Sequence, residues 1–177
     1  MKQLDFTDID FVRSADRQAR HDAFWGPLDE VWRAATRVAC DFFAFANDAN
    51  SQMALRYRLE VADPEKSMEA FILAQLFSKI AVEKFRLFGR LTGCRDDAEA
   101  IERLDRLIAH SRKTRWQIYP CWWTKVPGKT TAYFIGQFKI NAGQYVQYLA
   151  MCREAAEAKA EAKEKAKGKK KSKEAAQ

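Results

Sequence analysis

Apolar residues in this chain recur mostly every three or four positions, the spacing that lays a stripe along one face of a helix. Between residues 28 and 47 they fall at Leu28, Val31, Trp32, Ala35, Val38, Ala39, Phe42, Phe45 and Ala46, a period of about 3.6. Gly26-Pro27 breaks the chain just before this run, and a proline suits the first helical position. Asp29 and Glu30 then lie in the first turn, where they complement the helix dipole. Met53 to Val61 reads as a shorter helix or an extended piece, ended by Asp63-Pro64, because a residue before proline avoids the helical region.

The densest pattern runs from about Pro64 to Leu91. Met68, Phe71, Ile72, Leu73, Leu76, Phe77, Ile80, Val82, Phe85, Leu87, Phe88 and Leu91 cover most of its circumference. Glu65, Glu69, Lys79, Glu83, Arg86 and Arg90 gather on the remaining stripe of about 100°, so this helix is expected to be central and largely buried. Gly93 supplies a stop. Asp96 with Glu99 three residues on resembles a capping box, and the next helix, to about Arg112, buries Ile101, Leu104, Leu107 and Ile108.

Three stretches depart from the helical period. Leu4 to Val12 alternates apolar and mostly acidic residues, which predicts a short strand or an extended arm, followed by a short helix from an N-cap at Ser14 to about Phe24. Trp116–Val126 and Thr131–Phe138 are rich in aromatic and β-branched residues. Val126-Pro127-Gly128-Lys129 between them fits a type II turn, so the pair reads as a β-hairpin with Pro120 at an edge or a break. A last helix is expected from about Asn141 or Ala142. Beyond Glu154 only Ala, Glu and Lys continue it, with high helix propensity but no apolar stripe, so it projects and frays, and disorder is expected from Gly168.

The fold class predicted is therefore mainly α: a compact bundle of five or six helices around the helix at about 64–91, with one β-hairpin at about 116–138. Residues 1–156 form a single domain, and 157–177 a flexible, basic, Lys/Glu/Ala-rich tail. The 7 Gly and 4 Pro fit this better than an all-β domain, which needs many turns. Of the formal net charge of +7, residues 157–177 contribute a surplus of four, with 8 Lys against 4 Glu, which leaves the body mildly basic. Cys40, Cys94, Cys121 and Cys152 are far apart, and His21 and His110 add no ligand spacing, so no metal and no cofactor is expected. Charged residues interrupt every apolar run before about 18 residues, and no charged-then-apolar leader opens the chain. The expected setting is the cytoplasm, with no membrane partner.

Candidate chemistry concentrates where aromatic and basic residues interleave: Arg112, Lys113, Arg115, Trp116, Tyr119, Trp122, Trp123, Lys125, Lys129 and Lys139. Rings of this kind stack bases while the cations neutralise phosphate. In a strand Trp122 and Trp123 point to opposite faces, so one of them is expected to be exposed. Gly128-Lys129-Thr130 matches the end of a P-loop, but Trp123 stands where its first glycine belongs, and a hairpin turn explains it better. His21-Asp22 is not read as a catalytic pair, because neighbours on a helix point about 100° apart. Asp5, Asp8, Asp10, Asp16 and Asp22 match no calcium loop. The sequence points to a small non-enzymatic protein that contacts nucleic acid through this face and the lysine-rich tail. The alternative is a protein-binding adaptor or inhibitor, for example phage- or plasmid-encoded, or a helical subunit of a larger complex.

Overall fold

A computed structural model describes residues 6–123 and 125–174, with side chains over 14–123 and 125–165. The described residues form five helices: α1 (Phe6–Trp25), α2 (Glu30–Leu59), α3 (Pro64–Leu91), α4 (Asp97–Thr114) and α5 (Thr131–Glu174). The protein is mainly helical, and no strand occurs among the described residues. Leu4 and Asp5 of the N-terminal segment and 175–177 of the tail lie outside them.

Several boundaries follow from local chemistry. Asp29 caps α2 by accepting from the Trp32 backbone N–H at 2.8 Å, one position earlier than its expected place in the first turn. No Gly or Pro interrupts the run from Glu30, so α2 continues through Met53 to Leu59 as one helix. Asp63 caps α3 and Pro64 opens it. Gly93, at φ 70, takes the left-handed conformation that follows the end of that helix. Asp96 caps α4 through the Glu99 N–H at 2.9 Å, but Glu99 reaches back to the Arg95 N–H, one residue before a true capping box. That backbone bond, with the Arg103 and Arg95 guanidinium groups, lowers the Glu99 carboxyl to about 2.

The core forms where α2, α3 and α5 meet. Ala35, Ala39, Ala46 and Ala49 of α2 and Ala81 of α3 are buried in one cluster with Phe42, Phe43, Phe85 and Phe88. The small residues let the α2 and α3 backbones approach, and the rings fill the space beside them. Gln75 bonds to Gln144 and Ser78 to Asn141, so α5 runs antiparallel to α3. At the other end α1 packs on α4, where His110 Nε2–H donates to the Phe24 carbonyl at 2.9 Å. The buried residues of α3 include Ala70, Ala74, Gln75 and Ser78, while Met68, Leu73 and Leu91 are exposed.

The expected hairpin is corrected. Thr131, Phe134, Ile135 and Phe138 are spaced i, i+3, i+4 and i+7 and are buried as the first two turns of α5. Their aromatic and β-branched composition suggested a strand, but their period is helical, and burial against α2 and α3 selected the helix. Residues 116–123 and 125–130 are irregular rather than a strand, with tight turns closed by Trp123 N–H to Pro120 O and Lys125 N–H to Trp122 O. The turn at 126–129 does form, with Gly128 at φ 69 and Lys129 N–H bonded to Val126 O at 3.3 Å. Two further corrections concern the ends. The backbone is already helical from Phe6, with no Gly or Pro to stop it before Gly26, so 6–12 is not an extended arm. The last helix passes unbroken through Gly168 to Glu174, and from Ala150 to Lys165 every side chain is exposed.

Candidate nucleic-acid interface

The irregular segment between α4 and α5 lies across α2 and is pinned there by its rings. Trp123 is 2% exposed and sits among Phe42, Phe43, Phe134 and Phe138, with ring centroids 4.8 to 6.2 Å away. Its indole N–H has no hydrogen-bond partner among the described residues. Trp122 is only half-buried, and its Nε1–H donates to Asn47 Oδ1 at 3.1 Å. The expected opposition of the two is corrected: in a tight turn rather than a strand their rings lie 5.4 Å apart and both contact Phe134, with Trp123 buried and Trp122 half-buried beside it.

This arrangement leaves three recesses. A basic one of about 400 Å³ is lined by Arg17 and Arg20 of α1 with Arg115, Trp116 and Gln117. Arg20 is paired with Asp16 at 2.5 Å, whereas Arg17 and Arg115 make no ion pair among the described residues. Arg115 caps α4 in the left-handed conformation, φ 57, where a side chain is strained, and Ser111 Oγ holds the following carbonyl of Trp116 at 2.5 Å. An apolar recess of about 570 Å³ follows, lined by Trp25, Cys40, Phe43, Asn47 and residues 116–121. Burial, with the charge of Asp41, pushes the Cys40 thiol up, so it is no reactive thiolate. A cleft of about 470 Å³ between α2 and α5 comes third, lined by Arg56, Tyr57, Phe71, Trp122, Tyr133 and the amides Asn50, Gln137, Asn141 and Gln144.

The basic and apolar recesses adjoin, since Trp116 and Gln117 line both, and the cleft lies beyond them, its Trp122 bonded to Asn47 of the apolar recess. Of the residues singled out in the sequence, Arg115, Trp116, Tyr119 and Trp122 line this track. Arg112 and Lys113 flank it in the last turn of α4, Arg112 Nε–H reaching the Tyr119 hydroxyl at 3.4 Å. Lys125 is exposed on the loop, and Lys129 places its ammonium 3.9 Å from the centre of the Tyr133 ring. Two residues do not join. Trp123 belongs to the core, and Lys139 points to another side of α5, where it pairs with Asp97 of α4.

Sequence reading missed Arg17, Arg20, Arg56 and the amides. Arg17 and Arg20 are nearly a hundred residues from Arg115, and nothing local joins them. Gln137, Asn141 and Gln144 carry a readable signal, an i, i+4, i+7 stripe, that shows only once 131–144 is seen as helix. His21 does contact Asp22, Nδ1 to Oδ1 at 3.0 Å, contrary to expectation, and that contact holds the Asp22 carboxyl below the usual carboxylate range. Among the described residues no three His, Cys, Asp or Glu side chains are grouped to hold a metal ion, and no helix is long and apolar enough to cross a membrane. No protein-family model, curated protein or solved structure matches the chain.

Proposed function

We propose that this protein binds single-stranded nucleic acid along the track from Arg17 and Arg115 to the α2–α5 cleft, as a binding module rather than an enzyme. The observation that carries the reading is adjacency: Arg17 and Arg115, which have no carboxylate partner among the described residues, share a recess with Trp116, and Trp116 with Tyr119 lines the next one. A single strand needs both features, cations for its phosphates and π-faces for its unstacked bases. Arg112, Lys113, Lys125 and Lys129 flank the rings and add positive charge. The lysine-rich end of α5 adds contact without sequence reading, since ammonium groups meet phosphate as point charges.

The test is tryptophan fluorescence and anisotropy of the full chain with single-stranded oligonucleotides at about 50 mM salt and upward. Binding is expected to quench fluorescence and to weaken steeply with salt. The double substitution Arg17→Ala, Arg115→Ala should lower the salt slope by roughly 1.4, the value for two phosphates on a single strand. No binding at about 50 mM salt overturns the proposal. The exposed Val61, Met68 and Met151, at 94, 58 and 68%, favour a second reading, a protein-binding adaptor that uses the α2–α3 turn, the first turns of α3 and the middle of α5.

A further inference from the structure

The cleft between α2 and α5 offers chemistry that the other two recesses lack. Its lining includes two amides held by α3. Ser78 Oγ spends its only hydrogen on the Ala74 carbonyl at 2.7 Å, so it can only accept from Asn141, and Asn141 Nδ2 stands 3.4 Å away. Asn141 is thereby oriented, with Oδ1 left over as an acceptor. One turn further on, Gln144 Oε1 accepts from Gln75 Nε2 at 3.1 Å, which leaves Gln144 Nε2 as a donor. Both amides line the cleft. Arg56 lays its guanidinium 4.0 Å from the centre of the Phe71 ring, a stacking that occupies the face of the fork; Nη1 reaches Met53 Sδ at 3.8 Å, and Nε and Nη2 make no hydrogen bond among the described residues. Tyr133, 40% exposed, borders the same space with its ring, one face of which carries the Lys129 ammonium at 3.9 Å.

We infer that this cleft is a pocket for one nucleobase and its phosphate. The ring lies against the Tyr133 side, its polar edge meets Asn141 Oδ1 and Gln144 Nε2, and the phosphate meets Arg56. The inference rests on the nucleic-acid reading and deepens it, by giving the track one position where a base is held by its edge as well as its face. A donor beside an acceptor is what every nucleobase presents on its pairing edge, and unstacked bases are read there by side-chain amides and rings. A volume of about 470 Å³ lies within the range of small-ligand pockets, about 300–1,000 Å³. The base can come from a strand or from a free nucleotide, and the chemistry is the same for both.

The experiment uses the full chain. Calorimetry with each of the four nucleoside monophosphates is run beside anisotropy with a 12-mer single strand, intact or carrying one abasic site. Two variants accompany the wild type: Gln144→Ala, which removes the free donor, and Gln137→Trp, a substitution at an exposed position on the rim that fills the cleft. Each variant is expected to weaken the intact strand about tenfold, the size of one stacked base, and to make the abasic site harmless. A mononucleotide that binds alone and displaces the strand identifies the free nucleotide as a source. A strand that binds while no mononucleotide does, with the abasic and variant losses present, identifies a base within the strand. If both variants and the abasic strand bind as the wild type and intact strand do, and no mononucleotide binds, the pocket is overturned, while a loss on Arg17→Ala, Arg115→Ala keeps the wider track. If the wild type binds no strand, the track reading falls, and the pocket then stands or falls on the mononucleotides alone.

Discussion

The α2–α3 hairpin and the segment from Arg115 to Thr130 both pack on the same core, and they do so by opposite means. The hairpin is regular and is joined by small residues: Ala35, Ala39, Ala46 and Ala49 on one helix and Ala81 on the other. Close backbone approach supplies its contact, and many interchangeable positions share the work. The segment has no repeating backbone bonds to stabilise it. It is held by single anchors, chiefly Trp123 among four aromatic rings, together with the Trp122–Asn47 and Ser111–Trp116 hydrogen bonds. A region fixed at a few points leaves the side chains between those points free to face solvent. That is why the basic and apolar recesses border 115–121.

Three substitutions sharpen this contrast. The largest effect is expected at the anchor: Trp123→Ala should destabilise by about 3–5 kcal/mol, read from the midpoint of urea unfolding. A loss below about 1 kcal/mol would mean the segment is held elsewhere. Next, Ala39→Leu inserts bulk into a fully buried position of the hairpin and should cost about 1–3 kcal/mol by overpacking, less than the anchor because the load there is shared. The smallest effect has the opposite sign. Arg115→Gly relieves a left-handed side-chain conformation, φ 57, and should raise stability by about 0.5–1 kcal/mol while weakening oligonucleotide binding. Stability and binding that fall together would show that Arg115 supports the fold instead.

The same contrast explains what could be read in the sequence. The bounds of α3 and the start of α4 were legible because local rules decide them: Pro64 and Gly93 bound α3, and Asp96 caps α4, whereas α2, read as ending near Asn47, runs on to Leu59. Thr131–Phe138 was misread because residues of high β-propensity carried a helical period, and tertiary burial settled the conflict for the helix. Of the candidate site, Arg115, Trp116, Tyr119 and Trp122 were visible as interleaved rings and cations. Their partners were not, since Arg17, Asn47, Arg56 and Asn141 meet them only through helix packing. Trp123 shows the limit of composition most directly: two adjacent tryptophans look alike in the sequence, and a single tight turn sends one into the core.

The unbroken course of α5 has a kinetic consequence. From Ala150 to Glu174 the helix rises roughly 37 Å at 1.5 Å per residue, several times the screening length of about 8 Å at physiological salt. On the proposed nucleic-acid reading, lysines carried that far out would act as an antenna that a polyanion feels before it feels the bundle. Their contribution would then belong to the rate of encounter, and the duration of the complex to the groups nearer the core.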